Sequence, residues 1–252
     1  METPFIQLRN VWKSFDDLTV LAGISLDIYH GETLGILGRS GTGKSVTLML
    51  ISGLLPCDEG DILIDGVSII GKKEEELLPF RKRISYVFQQ GALFDSFTIY
   101  ENIAYPMMET HQYDFDEVER KTKELAQLLN VEEHLEQYPS EISLGTKKRV
   151  AIARALATQP EALLYDEPTT GLDAAMGKKI SKMIRNLDRS QKITSIVVTH
   201  DISCIEIVSD KVAMLDGGHI RFLGTFEQLR ASNDEFIQEF LYGKHAFMSE
   251  KV

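Results

Sequence analysis

The residues best suited to chemistry form one short stretch, which lies between the apolar run Thr33–Leu37 and a segment over 44–55 that predicts a helix. Glycines at this junction let successive backbone N–H groups point at one phosphate, and the helix N-terminus adds partial positive charge there. Lys44 would bring a full positive charge to the β- and γ-phosphates of a nucleotide, and the Ser45 hydroxyl would bind Mg²⁺. The stretch fits the pattern G-x-x-x-x-G-K-[ST] and predicts a phosphate-binding loop of Gly38, Arg39, Ser40, Gly41, Thr42, Gly43, Lys44 and Ser45.

Polar side chains follow two further apolar runs, at the points where the predicted strands end. Asp166 and Glu167 follow residues 162–165, and His200 follows residues 196–199. Because ligands of open α/β sheets sit at the carboxyl ends of the strands, we expect these side chains near the loop. Asp166 would hold Mg²⁺ directly or through water, and Glu167 would act as general base toward the attacking water. His200 would hydrogen-bond a γ-phosphate and help to position that water.

The phosphate loop interrupts a strand-rich first part of the chain. Alternating apolar and polar residues predict half-buried strands at 5–8 and 24–28, and a further strand is predicted at 60–64. After about residue 159 strands and helices alternate, which predicts a parallel sheet. The elements predicted there are strands at 162–165, 195–199, 211–215 and 219–223 and short helices near 225–231 and 234–241.

Residues 91 to about 158 have a different character, because their apolar residues recur with a helical period. One face of a helix predicted over 114–130 carries Val118, Leu125, Leu128 and Leu129. A second helix is predicted to begin near Ser143. This block therefore reads as a helical insertion in an α/β core.

Composition excludes several classes of function. The chain has 252 residues, 43% of them hydrophobic, and 27 Lys and Arg against 38 Asp and Glu, for a net charge of −11. With this excess of acidic residues the chain lacks the basic surface that nucleic-acid binding needs, and the same charge argues against direct adhesion to anionic lipid. The two cysteines, Cys57 and Cys204, form no C-x-x-C pair, which predicts a reducing compartment. The N-terminus does not resemble a signal peptide, and no run approaches 18 apolar residues, so any membrane role must pass through a partner.

The order of these motifs resembles that of the ATP-binding subunits of ABC transporters, over nearly the whole chain. The resemblance rests on the phosphate loop, Gln89 after a buried-type strand, the helical insertion, YDEPTTGLD over 165–173 and VVTHD over 197–201. It implies an α/β fold: a P-loop NTPase (RecA-like) core with an N-terminal antiparallel β subdomain and an inserted helical subdomain. The boundaries expected are 1–90 and 159–225 for the core, about 91–158 for the helical subdomain, and about 226–252 for a C-terminal helical extension.

The same resemblance implies ATP and Mg²⁺ as cofactors and a homodimer that holds nucleotide in a head-to-tail sandwich. Phe15 would stack on adenine, and Gln89 would sense Mg²⁺, take part in catalysis and contact the membrane partner. Asp173 would link the two sites of the dimer. The phosphate loop of one subunit would face the signature motif of the other.

The signature is the point where this chain departs from the family pattern LSGGQ, because residues 142–146 read ISLGT. Ser143 and Gly145 remain, so a hydroxyl and a closely approaching backbone N–H would still reach the γ-phosphate. Leu144 replaces a glycine. If that position takes a positive φ, leucine costs roughly 1–2 kcal/mol, and assembly of the closed dimer would suffer.

Residues 90–106, QGALFDSFTIYENIAYP, resemble the GALFDSLTVxENVAFPL stretch of the Mla-type lipid-transport ATPases, and 236–243 resemble the ending of that subfamily. This resemblance implies phospholipid transport across the cell envelope, through an MlaE-like permease and an MCE-domain lipid-binding protein. The chain would then be cytoplasmic, held to the inner face of the membrane by its permease. A permease helix would dock beside Gln89 and the segment 91–100, where Leu93, Phe94 and Phe97 either form the docking surface or pack the insertion against the core.

Other functions stay open at this stage. The chain could energise a different importer, for example one for amino acids, or drive envelope remodelling or cell division without transport. A soluble P-loop kinase fits poorly, because Glu167 and His200 suit water activation and no acceptor-substrate motif is present. A DNA-repair ATPase of the same superfamily would need long heptad arms, which this sequence lacks.

Overall fold

The computed structural model describes residues 3–243. Over this range the strands are β1 (Ile6–Phe15), β2 (Leu18–Ile28), β3 (Thr33–Leu37), β4 (Glu59–Ile64), β5 (Val67–Ser68), β6 (Ile84–Val87), β7 (Ala162–Asp166), β8 (Thr194–Thr199), β9 (Lys211–Asp216) and β10 (His219–Gly224). The helices are α1 (Lys44–Ile51), α2 (Glu74–Arg83), α3 (Ile99–Thr110), α4 (Phe115–Leu128), α5 (Leu144–Leu156), α6 (Ala174–Gln191), α7 (Ile202–Val208), α8 (Phe226–Arg230) and α9 (Glu235–Tyr242). The predicted α/β fold is confirmed.

A four-stranded antiparallel sheet in the order β2-β1-β4-β5 forms the first layer. Strands β1 and β2 extend beyond the predicted segments and meet in a hairpin in which Phe15 pairs with Leu18. Phe15 and Leu18 are exposed, so the alternation of buried and exposed residues that marks a half-buried strand is lost at this end. The sequence pattern therefore underestimated the length of both strands.

A six-stranded sheet in the order β10-β9-β3-β8-β7-β6 forms the second layer, and all its neighbouring strands are parallel except β10 against β9. Every residue of β3, β7 and β8 is buried, because helices cover the faces of a parallel sheet. This double burial explains why these strands read as uninterrupted apolar runs. The carboxyl ends of β3, β6, β7 and β8 lie at one edge, which is where the predicted site residues follow.

Helices α3, α4 and α5 lie between β6 and β7 in the chain and share a buried cluster that includes Ile103, Leu129 and Val150. Leu128 was predicted on the same apolar face, and this prediction is wrong, because Leu128 is 45% exposed. Helix α3 was not predicted. Its signal is a capping box, in which Thr98 and Glu101 bond each other's backbone N–H groups at the start of the helix.

The ends of other helices differ in detail from the sequence expectation. Helix α1 ends at Ile51, whereas a helix was predicted to residue 55. Helices α8 and α9 pack on β3 and β9 through a cluster that includes Phe226, Leu229 and Ile237. The remainder of the expected C-terminal extension, 244–252, lies outside the described residues. Among residues 3–243, no helix has both the length and the apolar character needed to cross a membrane.

Candidate active site

The phosphate loop connects the buried end of β3 to the first turn of α1. Gly43 has φ 95°, and a Cβ at this position would lie 2.7 Å from Cδ2 of Leu21 and 3.0 Å from Cγ1 of Val20. Only glycine fits this left-handed backbone beneath the hairpin side chains. The N-terminal sheet therefore holds the loop from one side, and α1 begins at Lys44 with its N-terminus directed into the loop.

Lys44 lies inside the loop and is only 6% exposed. Its Nζ donates hydrogen bonds to the carbonyls of Gly38 and Arg39, both at 3.0 Å, and lies 3.9 Å from Oε1 of Glu167. Burial lowers the pKa of Lys44, while the carboxylates of Glu167 and Asp166 raise it in opposition. The loop thus presents one buried cation beside its turned backbone, a donor set that suits a polyphosphate.

Asp166 ends β7 and joins two hydroxyl groups. Ser45 Oγ donates to Oδ1 of Asp166 at 2.8 Å, and the Tyr86 hydroxyl donates to Oδ2 at 2.9 Å. Burial and the neighbouring Asp166 raise the pKa of Tyr86, so this hydroxyl keeps its proton and serves as a donor. A carboxylate and a serine hydroxyl are hard oxygen ligands of the kind that Mg²⁺ prefers, so Ser45 and Asp166 fit a Mg²⁺ site.

Glu167 follows Asp166, and its two carboxylate oxygens contact different groups. The hydroxyls of Thr199 and Thr170 donate to Oε2, at 2.9 and 3.1 Å. Oε1 faces the other way, 3.0 Å from Nδ1 of His200 and 3.9 Å from Nζ of Lys44. Oε1 is therefore the oxygen directed at the phosphate loop, and it can accept a proton from a water molecule bound there.

The other residues predicted for the site lie further from this group. The Gln89 side chain is exposed, and among residues 3–243 no hydrogen bond joins it to Ser45 or Asp166. Phe15 is 43% exposed at the tip of the hairpin that covers the loop, with Nζ of Lys13 5.4 Å from the centre of its ring. The structure thus brings the phosphate loop, Asp166, Glu167 and His200 together, while Gln89 and Phe15 stand at the margins.

The signature residues are set on the first turn of α5. Ser143 caps this helix, since its hydroxyl accepts a hydrogen bond from the N–H of Thr146. Gly145 packs against Met176, and a Cβ at Gly145 would lie 3.2 Å from Cγ of that residue. No hydrogen bond joins Ser143 to the phosphate loop within the part of the chain that the structure describes.

The condition under which Leu144 would be strained, a positive φ, is not met in the structure. Leu144 is the first residue of α5, and it is not among the described residues with positive φ. Its side chain lies over Gly171, where an added Cβ would be 2.9 Å from Cδ2 of Leu144. A helical backbone accommodates leucine without penalty, so the departure from LSGGQ does not distort the chain here.

Sequence reasoning missed four residues that build the site: Tyr86, Lys148, Thr170 and Thr199. Tyr86 lies in the buried-type strand before Gln89, and nothing in the sequence pattern distinguishes it from a packing aromatic. The two threonines lie within the motif strings PTTG and VTHD, so their positions beside the predicted acids were available as a signal.

Comparison with known proteins gives a family. Residues 21–170 match the family model described as ABC transporter. The spermidine/putrescine import ATP-binding protein PotA of Thermotoga maritima is 39% identical over 98% of this chain and 66% of its own length. The methionine import ATP-binding protein MetN of Clostridium tetani is 39% identical over 89% of this chain and 70% of its own. The probable ribonucleotide transport ATP-binding protein mkl of Mycobacterium leprae is 36% identical over 95% of this chain and 70% of its own, so the chain spans about two thirds of these relatives.

Solved structures that resemble this chain belong to the same kind of protein as these relatives. The dimeric ATP-binding cassette MJ0796, in a post-hydrolysis state with ADP and Pi, matches with a TM-score of 0.80 and 31% identity, over 88% of this chain and 98% of that one. The cbiO1 protein of Clostridium perfringens, part of the transporter complex cbiONQ, matches with a TM-score of 0.85 and 27% identity over 96% of both chains. The phosphate loop, the paired acids and these similarities together establish that the chain belongs to the ABC transporter family of ATP-binding cassette ATPases.

Proposed function

We propose that this chain is the ATP-hydrolysing subunit of an ABC transporter that moves phospholipid across the cell envelope. Two steps carry the proposal: the chemistry of the site, and the partner that would use it. The chemistry rests on the position of Glu167 Oε1, which lies between Lys44 and His200. The assignment of the partner rests on the resemblance of segment 90–106 to Mla-type ATPases.

Hydrolysis needs a base, a phosphate cradle and a cation. The backbone of the phosphate loop and the Lys44 ammonium would hold the β- and γ-phosphates, and Ser45 and Asp166 would hold Mg²⁺. When bound, ATP and Mg²⁺ supply the phosphoanhydride bond and the charge that neutralises its oxygens. Glu167 Oε1 would accept a proton from water, while His200 would orient that water toward the γ-phosphate.

A second copy of the chain would complete the site. Ser143 and Gly145 make no hydrogen bond to the phosphate loop of their own chain among residues 3–243, which fits a role toward the nucleotide of a partner subunit. The dimeric form of MJ0796 with ADP and Pi supports this arrangement. Phe15 would stack on adenine, and Gln89 would report the state of the Mg²⁺ site to the membrane partner.

The docking surface we propose is an aromatic cluster formed by the segment before α3 and by Tyr105 of α3 itself. Phe94 is 42% exposed, and its ring lies 5.0 Å from that of Phe97 and 5.1 Å from that of Tyr105. Leu93 packs against the buried cluster of α3, α4 and α5, so it belongs to the core and Phe94 is the exposed member of the predicted set. The resemblance of 90–106 to Mla-type ATPases favours an MlaE-like permease on this surface, with an MCE-domain protein beyond it and the chain on the cytoplasmic face.

A second candidate is an importer of small polar solutes. The names of the relatives favour it, since PotA is named for spermidine and putrescine import and MetN for methionine import. The two candidates share the site chemistry and differ in the permease and its cargo.

The test is reconstitution of the complex. The chain is tagged, extracted from membranes of its own host with the integral proteins bound to it, and placed in phospholipid vesicles. We expect ATP-dependent movement of a fluorescent phospholipid, which is lost when Glu167→Gln replaces the wild-type chain in the same complex. ATP-dependent uptake of methionine or spermidine, with no phospholipid movement, would refute the lipid proposal and support the second candidate.

A further inference from the structure

A buried lysine outside the predicted site connects two of its segments. Lys148 lies on the second turn of α5 and is only 3% exposed. Its Nζ donates to the backbone carbonyl of Gln89 and, at 3.2 Å, to the backbone carbonyl of Glu167. No carboxylate lies within 4.0 Å of this ammonium among residues 3–243, so two main-chain oxygens hold the buried cation.

The segment after β6 is attached to α5 as well as to the sheet. Besides Lys148 on Gln89, the guanidinium of Arg154 donates to the carbonyls of Gly91 at 2.7 Å and Ala92 at 2.8 Å. Both cations belong to the helix that begins with the signature motif. Any shift of the segment 89–92 relative to the sheet therefore acts on α5 through these bonds. Lys148 is the one of the two that also contacts the backbone of Glu167.

Glu167 has a backbone that needs such support. Its φ is 47°, in the left-handed region that costs a residue with a side chain on the order of 1 kcal/mol. Its N–H donates to the carbonyl of Val198 at 2.9 Å, and its own carbonyl accepts from Lys148 and, at 3.3 Å, from the N–H of Thr170. Loss of the Lys148 bond would loosen one of the contacts that hold Glu167 in this conformation.

We propose that Lys148 is a positioning residue that couples the segment 89–92 to the backbone of Glu167. Through this backbone it sets the orientation of the Glu167 carboxylate. This inference rests on the proposed role of Glu167 in hydrolysis. It makes α5 the element through which the Gln89 segment and the signature residue Ser143 act on the same carboxylate.

The variants are chosen to separate position from charge and from stability. Lys148→Met keeps the length and apolar volume of the side chain and removes all its donors. Lys147→Met is the control, because it removes the same charge from the neighbouring, partly exposed position on the same helix. Lys148→Arg retains several donors at this position. Each full-length protein is measured for ATP affinity, for single-turnover hydrolysis with protein in excess over ATP and Mg²⁺, and for backbone hydrogen exchange over 89–92 and 167–170.

We expect Lys148→Met to slow hydrolysis at least about tenfold while ATP affinity stays within about twofold, since only the aim of the carboxylate changes. Hydrogen exchange should rise in both segments, Lys148→Arg should recover part of the rate, and Lys147→Met should match wild type. An unchanged rate in Lys148→Met, exchange that rises in neither segment, or an equal loss in Lys147→Met would overturn the inference. If Lys148→Met unfolds, Lys148→Gln is judged by the same criteria. Glu167→Gln is measured in parallel: if it hydrolyses ATP at the wild-type rate, the proposed role of Glu167 fails, whereas a slow Glu167→Gln beside a fast Lys148→Met refutes the coupling alone.

Discussion

Asp188 provides a prediction about stability whose size follows from the structure. This residue of α6 is 2% exposed beneath the six-stranded sheet. The hydroxyl of Tyr165 donates to its Oδ1 at 3.3 Å, and that of Thr33 donates to Oδ2 at 3.5 Å. Burial raises the pKa of Asp188 to about 7, because these long hydrogen bonds compensate only part of the lost hydration of the carboxylate.

The direction in which pH changes the free energy of unfolding follows from the difference in Asp188 protonation between the folded and unfolded states. Between its ordinary pKa of 3.8 and about 7, Asp188 is protonated in the folded protein and ionised in the unfolded chain. Its contribution to the free energy of unfolding is therefore full below pH 4, decreases as the pH rises, and is lost above pH 7. At about 1.4 kcal/mol per pH unit, the total loss is about 4 kcal/mol.

Asp188→Asn should remove this dependence. Asparagine stays neutral at every pH, keeps an acceptor for Tyr165 and offers Thr33 a donor. Urea unfolding of both proteins from about pH 5 to about pH 8.5 should show the variant gaining stability over wild type up to about pH 7, and a constant difference above it. Parallel stability curves for the two proteins would refute the reasoning.

Asp210 supplies a control, because its pKa is shifted in the direction opposite to that of Asp188. Burial alone would raise the pKa of Asp210, but the Arg185 guanidinium at 2.6 Å and the N–H of Thr33 at 3.0 Å outweigh it and lower the pKa. The stability that this carboxylate contributes is present above its unfolded pKa and is lost only as the pH falls below about 4. Asp210→Asn should therefore destabilise the protein by a constant amount across the same pH range.

Four further variants test the site and the docking surface. Glu167→Gln should slow hydrolysis at least about 100-fold while ATP still binds and the dimer accumulates, as measured by phosphate release and gel filtration. Lys44→Ala removes the buried cation of the loop and should weaken ATP binding about tenfold or more in titration calorimetry, with turnover abolished. Phe15→Ala removes only a stacking contact and should weaken binding about 2- to 10-fold; unchanged affinity would mean that adenine rests elsewhere. Phe94→Asp should reduce copurification of the permease while ATP affinity and melting temperature stay near wild type, and full copurification would move the docking site away from this cluster.

The fold was predictable where burial alone decides the pattern. Strands β3, β7 and β8 are buried throughout, so their apolar runs ended within a residue of the observed strands. The residues that follow them had to meet at one edge, because parallel strands end on the same side. The grouping of Lys44, Asp166, Glu167 and His200 follows from this geometry, which is why the sequence alone predicts it.

The rest depended on contacts between segments distant in the chain. Leu128 has the spacing of a core residue, yet the neighbouring elements leave it exposed on α4. Tyr86 acts on Asp166 only because β6 and β7 pair in parallel, with Val87 opposite Tyr165, and a strand pattern does not reveal its neighbour. Lys148 likewise contacts Gln89 and Glu167 across three separate segments.

Leu144 shows how a departure from a family pattern is absorbed by its surroundings. A leucine in place of glycine would strain the backbone only at a positive φ, and Leu144 is instead the first residue of helix α5. Its side chain packs on Gly171 of the same chain. Gly171 has φ 83° and no Cβ, and a Cβ there would lie 2.9 Å from Leu144, so the two positions depend on each other. Gly171 belongs to the segment that leads to Asp173, which caps α6. The leucine therefore joins the start of α5 to the start of α6 by a packing contact, and the Ser143 hydroxyl still caps the first turn of α5.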